Sequence, residues 1–158
     1  MGKGAAPKKN RPLPEGADLP ASKGDPYFPH DADIGIATCG KTLEEAFVRA
    51  AEAAFSLMTD LSTVHPLQTV DLSFVEPDEE LALVTWINRL LTESDIRRLA
   101  FGRFELERNA AGRWHGRAFG EPWRETHPRG IEVKGATLSH LSVKHEGGLW
   151  TVRLVVDV

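Results

Sequence analysis

Asp33-Ile34-Gly35-Ile36-Ala37-Thr38-Cys39-Gly40-Lys41-Thr42-Leu43-Glu44-Glu45-Ala46-Phe47 carries two hydrophobic periods in succession. Ile34, Ile36 and Thr38 alternate with Asp33, Gly35 and Ala37, a period of two that predicts a strand. Gly40-Lys41 turns the chain. Thr42 and Glu45 then fit the Thr-x-x-Glu capping box, in which each side chain satisfies a free backbone N–H at a helix start. Leu43, Ala46, Phe47, Ala50, Ala54 and Met58 recur at helical spacing, which predicts an amphipathic helix ending near Thr59-Asp60. Its small residues suit close packing on a sheet.

The same reading extends outward along the chain. Val70, Leu72 and Phe74 alternate with polar partners and predict a second strand. Pro77-Asp78-Glu79-Glu80 opens a second helix, with negative charge at the positive end of its dipole. That helix carries Leu83, Val84, Trp86, Ile87, Leu90 and Leu91 to about Thr92 or beyond, and the charged stretch from Ser94 to Leu99 fits no single pattern. Strands follow from Arg103 to Arg108, Arg113 to Phe119, Ile131 to Val143 and Leu149 to Val158. The third of these is long enough to need a bend or bulge near Gly135 or Ser139. In the last, Trp150, Val152, Leu154, Val156 and Val158 share one face, and Thr151, Arg153, Val155 and Asp157 the other. The expectation is an α+β fold, a mostly antiparallel sheet of about six strands packed with two main helices.

Composition narrows the function. A chain of 158 residues with 41% hydrophobic and 27% charged residues is long enough to bury one real core. A formal charge of −4 argues against a non-specific nucleic-acid binder. Cys39 is the one cysteine, which excludes an internal disulfide and a multi-cysteine zinc cluster and fits a cytoplasmic location. No apolar run approaches the ~18 residues of a transmembrane helix, and the N-terminus lacks the apolar segment of a secretory signal. Residues 1–26, rich in Gly, Ala, Lys and Pro with a basic Lys8-Lys9-Asn10-Arg11, read as a flexible tail ahead of a domain over 27–158.

Catalytic signatures are missing: there is no nucleophile elbow, no phosphate-binding loop and no His-Glu-x-x-His. Cys39, at a strand end without an adjacent base, reads as a structural thiol. The six histidines are not spaced for zinc, and His30, beside Asp31 and Asp33, is the best placed of them. The carboxylates at the two ends of the domain allow two readings. Asp31 and Asp33 suit a turn before a strand, with Asp157 a solvated strand end. If instead the first and last strands are neighbours, Asp33, Asp157 and the Val158 carboxylate converge. Oxygen donors without sulfur suit Ca²⁺ or Mg²⁺, with Mn²⁺ compatible.

His30-Asp31-Ala32-Asp33-Ile34-Gly35-Ile36, Gly40 to Phe47, Ala53-Ala54-Phe55-Ser56-Leu57-Met58-Thr59-Asp60 and Trp86-Ile87-Asn88-Arg89-Leu90-Leu91 resemble the archease family. So do His127 to Gly130, Glu132-Val133-Lys134-Gly135-Ala136-Thr137 and the Val155-Val156-Asp157-Val158 ending, in order over residues 28–158. The resemblance implies a small α+β accessory protein, not itself an enzyme, that activates an RNA-splicing ligase of the RtcB type. Its partner would be that ligase, with RNA reached through it. It also implies a metal site on Asp33, Asp157 and Val158, with calcium the usual ion. The alternative associated with the family is a chaperone-like modulator of an RNA-modifying enzyme such as a tRNA methyltransferase. Three features depart from the family pattern: Asp31 where Thr is common, few aromatics over Thr92 to Phe101, and Leu138-Ser139-His140 in place of Tyr-His-Asp.

Overall fold

The computed structural model describes residues 25–30 and 33–158; the basic tail expected over residues 1–26, Asp25 and Pro26 apart, lies outside the described residues. Seven strands and two α-helices follow in the order β1 (Tyr27–His30), β2 (Asp33–Gly40), α1 (Leu43–Ser56), β3 (Gln68–Val75), α2 (Glu79–Arg97), β4 (Leu99–Arg108), β5 (Arg113–Pro122), β6 (Gly135–Glu146) and β7 (Leu149–Asp157). The α+β class is as expected, but the strands divide into two sheets. One has the order β1-β2-β7-β6 and the other β3-β5-β4. Every pairing is antiparallel. Both helices pack against strands of both sheets: α1 meets β2, β7 and β4, and α2 meets β6, β4 and β3.

Local chemistry accounts for the helix ends. Thr42 Oγ1 accepts from the Glu45 N–H at 3.0 Å, one arm of the expected capping box. The other arm lands one residue early, with Glu45 Oε1 accepting from the Lys41 N–H at 2.7 Å. Asp78 caps α2 by accepting from the backbone N–H groups of Glu80 and Leu81 at 2.8 and 3.1 Å. This helix runs on through the ambiguous stretch to Arg97 and closes on Arg98, whose φ of 57° is left-handed.

One hydrophobic core joins the layers. Ile36 of β2 and Val152, Leu154 and Val156 of β7 face Phe47 and the alanines of α1, as their alternation predicted. Trp86 of α2 is fully buried, and its Nε1–H donates to Phe47 O at 3.0 Å, which ties the two helices together. Trp114 of β5 stacks between Phe47 and Phe74, at ring distances of 5.1 and 5.9 Å. Among the described residues no helix is long and apolar enough to cross a membrane.

Trp86 fills the junction of helix, helix and sheet, so Trp86→Ala leaves a cavity and removes the Nε1–H bond to Phe47 O. A loss of about 3–5 kcal/mol in unfolding free energy is expected. Urea denaturation with an unchanged m-value measures it, and a loss below about 1 kcal/mol would contradict the assigned role.

Candidate functional site

The β2–β7 ladder runs from Gly40 opposite Trp150 to Ile34 opposite Val156. Continuing that register by one residue sets Asp33 beside Asp157. On the outer sides, His30 pairs with Asp33 and Gly135 pairs with Asp157, so these positions form one row across the end of the four-stranded sheet. Lys134 N–H donates to Asp157 O at 2.8 Å and holds the β7 terminus in place. Asp33 is half-buried, Asp157 exposed and Val158 half-buried. Asp31 lies outside the described residues, and its part in this row with it.

Alternation puts Asp33 and Asp157 on the sheet face away from α1, the face of Gly35, Ala37 and Val155. There Phe28 of β1 covers Ala37 and Val155 in a small apolar cluster. Gly35 lies directly under that ring; a Cβ built there would fall 2.1 Å from Phe28 Cε1. Arg153 completes the cover, its guanidinium 4.3 Å from the Phe28 ring centre. Tyr27 Oη–H donates to Ala53 O at 2.9 Å, and burial, with the Asp25 charge second, pushes the hydroxyl up to about 12. These contacts fix β1 against β2 and build a platform beside the strand end.

The donor chemistry at this platform is oxygen only, which fits a hard divalent cation. Two side-chain carboxylates stand in neighbouring register positions, and among the described residues no group of three or more His, Cys, Asp or Glu side chains is arranged to hold a metal. Any cation here would need Val158 or water as further donors.

Sequence reasoning missed a second polar centre. Glu121, at the end of β5, is fully buried. Its Oε2 accepts from His65 N–H at 2.8 Å, from His65 Nδ1 at 3.1 Å and from His127 Nε2 at 2.9 Å; its Oε1 accepts from Arg124 Nη2. His127 Nδ1 in turn accepts from the Arg124 N–H at 2.9 Å, which fixes the Nε2–H tautomer of this buried imidazole. The His65 backbone donor is the largest influence on Glu121. With His127, His65 and Arg124 it outweighs desolvation and holds the carboxyl down to about 2. The cluster clamps the segment after β5 to the stretch before β3, and so shapes the loop that ends at Lys134. The one signal available was a glutamate beside Gly120 at a strand end, with Arg124 and His127 three and six residues on. Cys39 is buried at the end of β2, as a structural thiol would be.

A folded-state value below the ordinary carboxylate value of 4.5 means that the stabilisation from Glu121 is complete above 4.5 and is lost as pH falls from there toward about 2. Glu121→Gln is therefore expected to lower stability at neutral pH and to flatten its decline across that window. Denaturation curves as a function of pH test this; an unchanged acid slope in the variant would contradict it.

Residues 26–158 match the family model described as the Archease protein family (MTH1598/TM1083). The chain is 37% identical over 134 residues to protein archease of Sulfolobus acidocaldarius, covering 84% of this chain and 96% of the relative. With protein archease of Aeropyrum pernix it shares 38% identity over 138 residues, covering 82% and 93%. The solution structure of Methanobacterium thermoautotrophicum protein 1598 superposes with a TM-score of 0.75 at 31% identity, over 84% of this chain and 96% of that one. A Thermotoga maritima crystal structure, described as an archease and possible chaperone, superposes with a TM-score of 0.60 at 19% identity, over 82% and 93%, and shares the fold.

Proposed function

The chain belongs to the archease family, and from that membership we propose that it is a cytoplasmic accessory protein, not itself an enzyme, that activates an RNA-splicing ligase of the RtcB type. It would promote guanylylation of the ligase and its repeated turnover, meeting RNA through the ligase alone. The observation that supports this reading best is the β2–β7 register, which, continued by one residue beyond Ile34–Val156, sets Asp33 beside Asp157 at the sheet end, next to Val158.

Asp33, Asp157 and Val158 would hold a divalent cation, Ca²⁺ or else Mg²⁺ or Mn²⁺, whose charge neutralises anionic oxygens. The chain's own contribution is presentation. Two carboxylates on paired strands keep their separation without loop entropy, so they dock as a fixed acidic tip. Nucleotidyl transfer to a ligase nucleophile depends on correctly placed positive charge. An acidic tip beside the ligase's own centre would bias that placement or the conformation that carries it.

A multiple-turnover ligation assay with a purified ligase of this type tests the reading. The unchanged chain is expected to stimulate turnover, while Asp33→Ala and Asp157→Ala lose at least about tenfold of that stimulation and keep their thermal midpoints within a few degrees. Stimulation by both variants at the unchanged level would overturn it. The description of the Thermotoga protein as a possible chaperone favours a second reading, a modulator of an RNA-modifying enzyme such as a tRNA methyltransferase. In that case neither aspartate would matter to ligation, and the chain would instead protect or redirect the modifying enzyme.

A further inference from the structure

A groove of about 1100 Å³ opens between the C-terminal half of α2 and the irregular segment from Pro122 to β6. Its floor includes Met58, Leu91 and Val133, and its rim carries Arg98, Arg129 and Lys134. We propose that this groove is a binding site for a phosphorylated small molecule of nucleotide size, its phosphate held by these three cations and its flat body laid on the apolar floor. The groove adjoins the strand-end acids, since Lys134 on its rim also donates its N–H to Asp157 O, but the proposal does not rest on the ligase reading.

The cations are the first argument. Arg49, Arg97, Arg103, Arg108, Arg117 and Arg124 each stand within ion-pair distance of a carboxylate. Arg98, Arg129 and Lys134 have no such partner among the described residues, although Asp95 and Glu132 stand three and two positions away on the same groove. Arg98 has left the helical phase that would bring it to Asp95. Unpaired guanidinium and ammonium groups around one concavity are the ordinary means of recognising phosphate.

Preorganisation is the second. Arg129 stands over Trp123, its Cζ 3.9 Å from the ring centre, a cation–π contact that holds the guanidinium at the groove's rim. The backbone beyond it is pinned, Gly130 N–H donating to Met58 O at 2.9 Å and Ile131 N–H to Leu57 O at 2.7 Å. Arg98 is held in its left-handed conformation from both sides. Its own N–H donates to Ser94 O, and Ser94 Oγ–H donates to Leu99 O at 2.7 Å. Lys134 is tied through its N–H to Asp157 O. Asn88, on the same wall, accepts through Oδ1 from the Ala136 N–H at 2.8 Å.

Charge decides the size of the ligand. Asp95 and Glu132 reduce the rim's three positive charges to a net +1, and the chain as a whole carries −4. A polyanionic strand is disfavoured by that field, whereas a single phosphate is not. The two carboxylates also accept hydrogen bonds, which suits a ligand with exocyclic amines beside its phosphate.

The test titrates the full chain with adenosine 5′-monophosphate, inorganic phosphate and adenosine, read by backbone amide shifts and calorimetry. The expected result is saturable binding of the monophosphate, with shifts confined to the groove, and at least about tenfold weaker binding of phosphate and of adenosine. Arg129→Gln and Lys134→Gln are each expected to weaken it about tenfold with unchanged thermal midpoints. Equal affinity for inorganic phosphate, binding that survives both substitutions, or no groove shifts at millimolar ligand would overturn the proposal. Tighter binding of a short RNA through the same residues would overturn it too, in favour of a polyanion.

Discussion

The antiparallel register between β2 and β7 is the constraint from which most of this structure follows. Seven consecutive pairs, Ile34–Val156 to Gly40–Trp150, join the second strand of the chain to the last. Side chains alternate with a period of two, so a slip of one residue would turn one strand over against the other, sending either Ile36 of β2 or Leu154 and Val156 of β7 out of the core. The apolar set on one face therefore fixes the alignment, and the alignment in turn decides which polar residues meet where the apolar run stops. Asp33 and Asp157 are neighbours because the core requires it.

Much of this was readable from residues alone. The two hydrophobic periods of Ile34 to Met58, the Thr42 and Asp78 caps and the alternation of Trp150 to Val156 each appear in the structure as strand, helix start or core face. Such signals are local, and local physics writes them directly into the sequence. What was not readable depended on distant partners. β1 contains Pro29, which reads against a strand, yet it is an edge strand where a missing N–H is tolerated. The start of β4 was hidden because Leu99, Ala100 and Phe101 are all buried, and a register shift between Phe101 and Arg103 breaks the alternation. The bend expected in the long sixth strand is there, between Thr137 and Ser142. Division into two sheets depends on which strands pair, and no local pattern specifies that.

The polar sites separate in the same way. Asp33 and Asp157 were legible because each ends a run of clean alternation, so strand phase predicted their face. Glu121 was not, since its meaning lies in His65, 56 residues earlier, and in the closure of a loop onto it. That carboxylate has a structural role: it is fully buried, with four donors from His65, His127 and Arg124 around it. The strand-end aspartates differ in that Asp157 is exposed. Exposed carboxylates on a rigid frame are available to a cation or a partner, and buried, saturated ones are not.

The central proposal is that the sheet end formed by Asp33, Asp157 and Val158 holds a divalent cation and is not merely a solvated strand terminus. Calorimetric titration of the chain with Ca²⁺, beside the Asp33→Asn and Asp157→Asn double variant, tests this most directly. The account predicts saturable binding of one ion per chain and its loss in a variant that melts at the same temperature. No binding to the unchanged chain, or equal binding to both proteins, would contradict it.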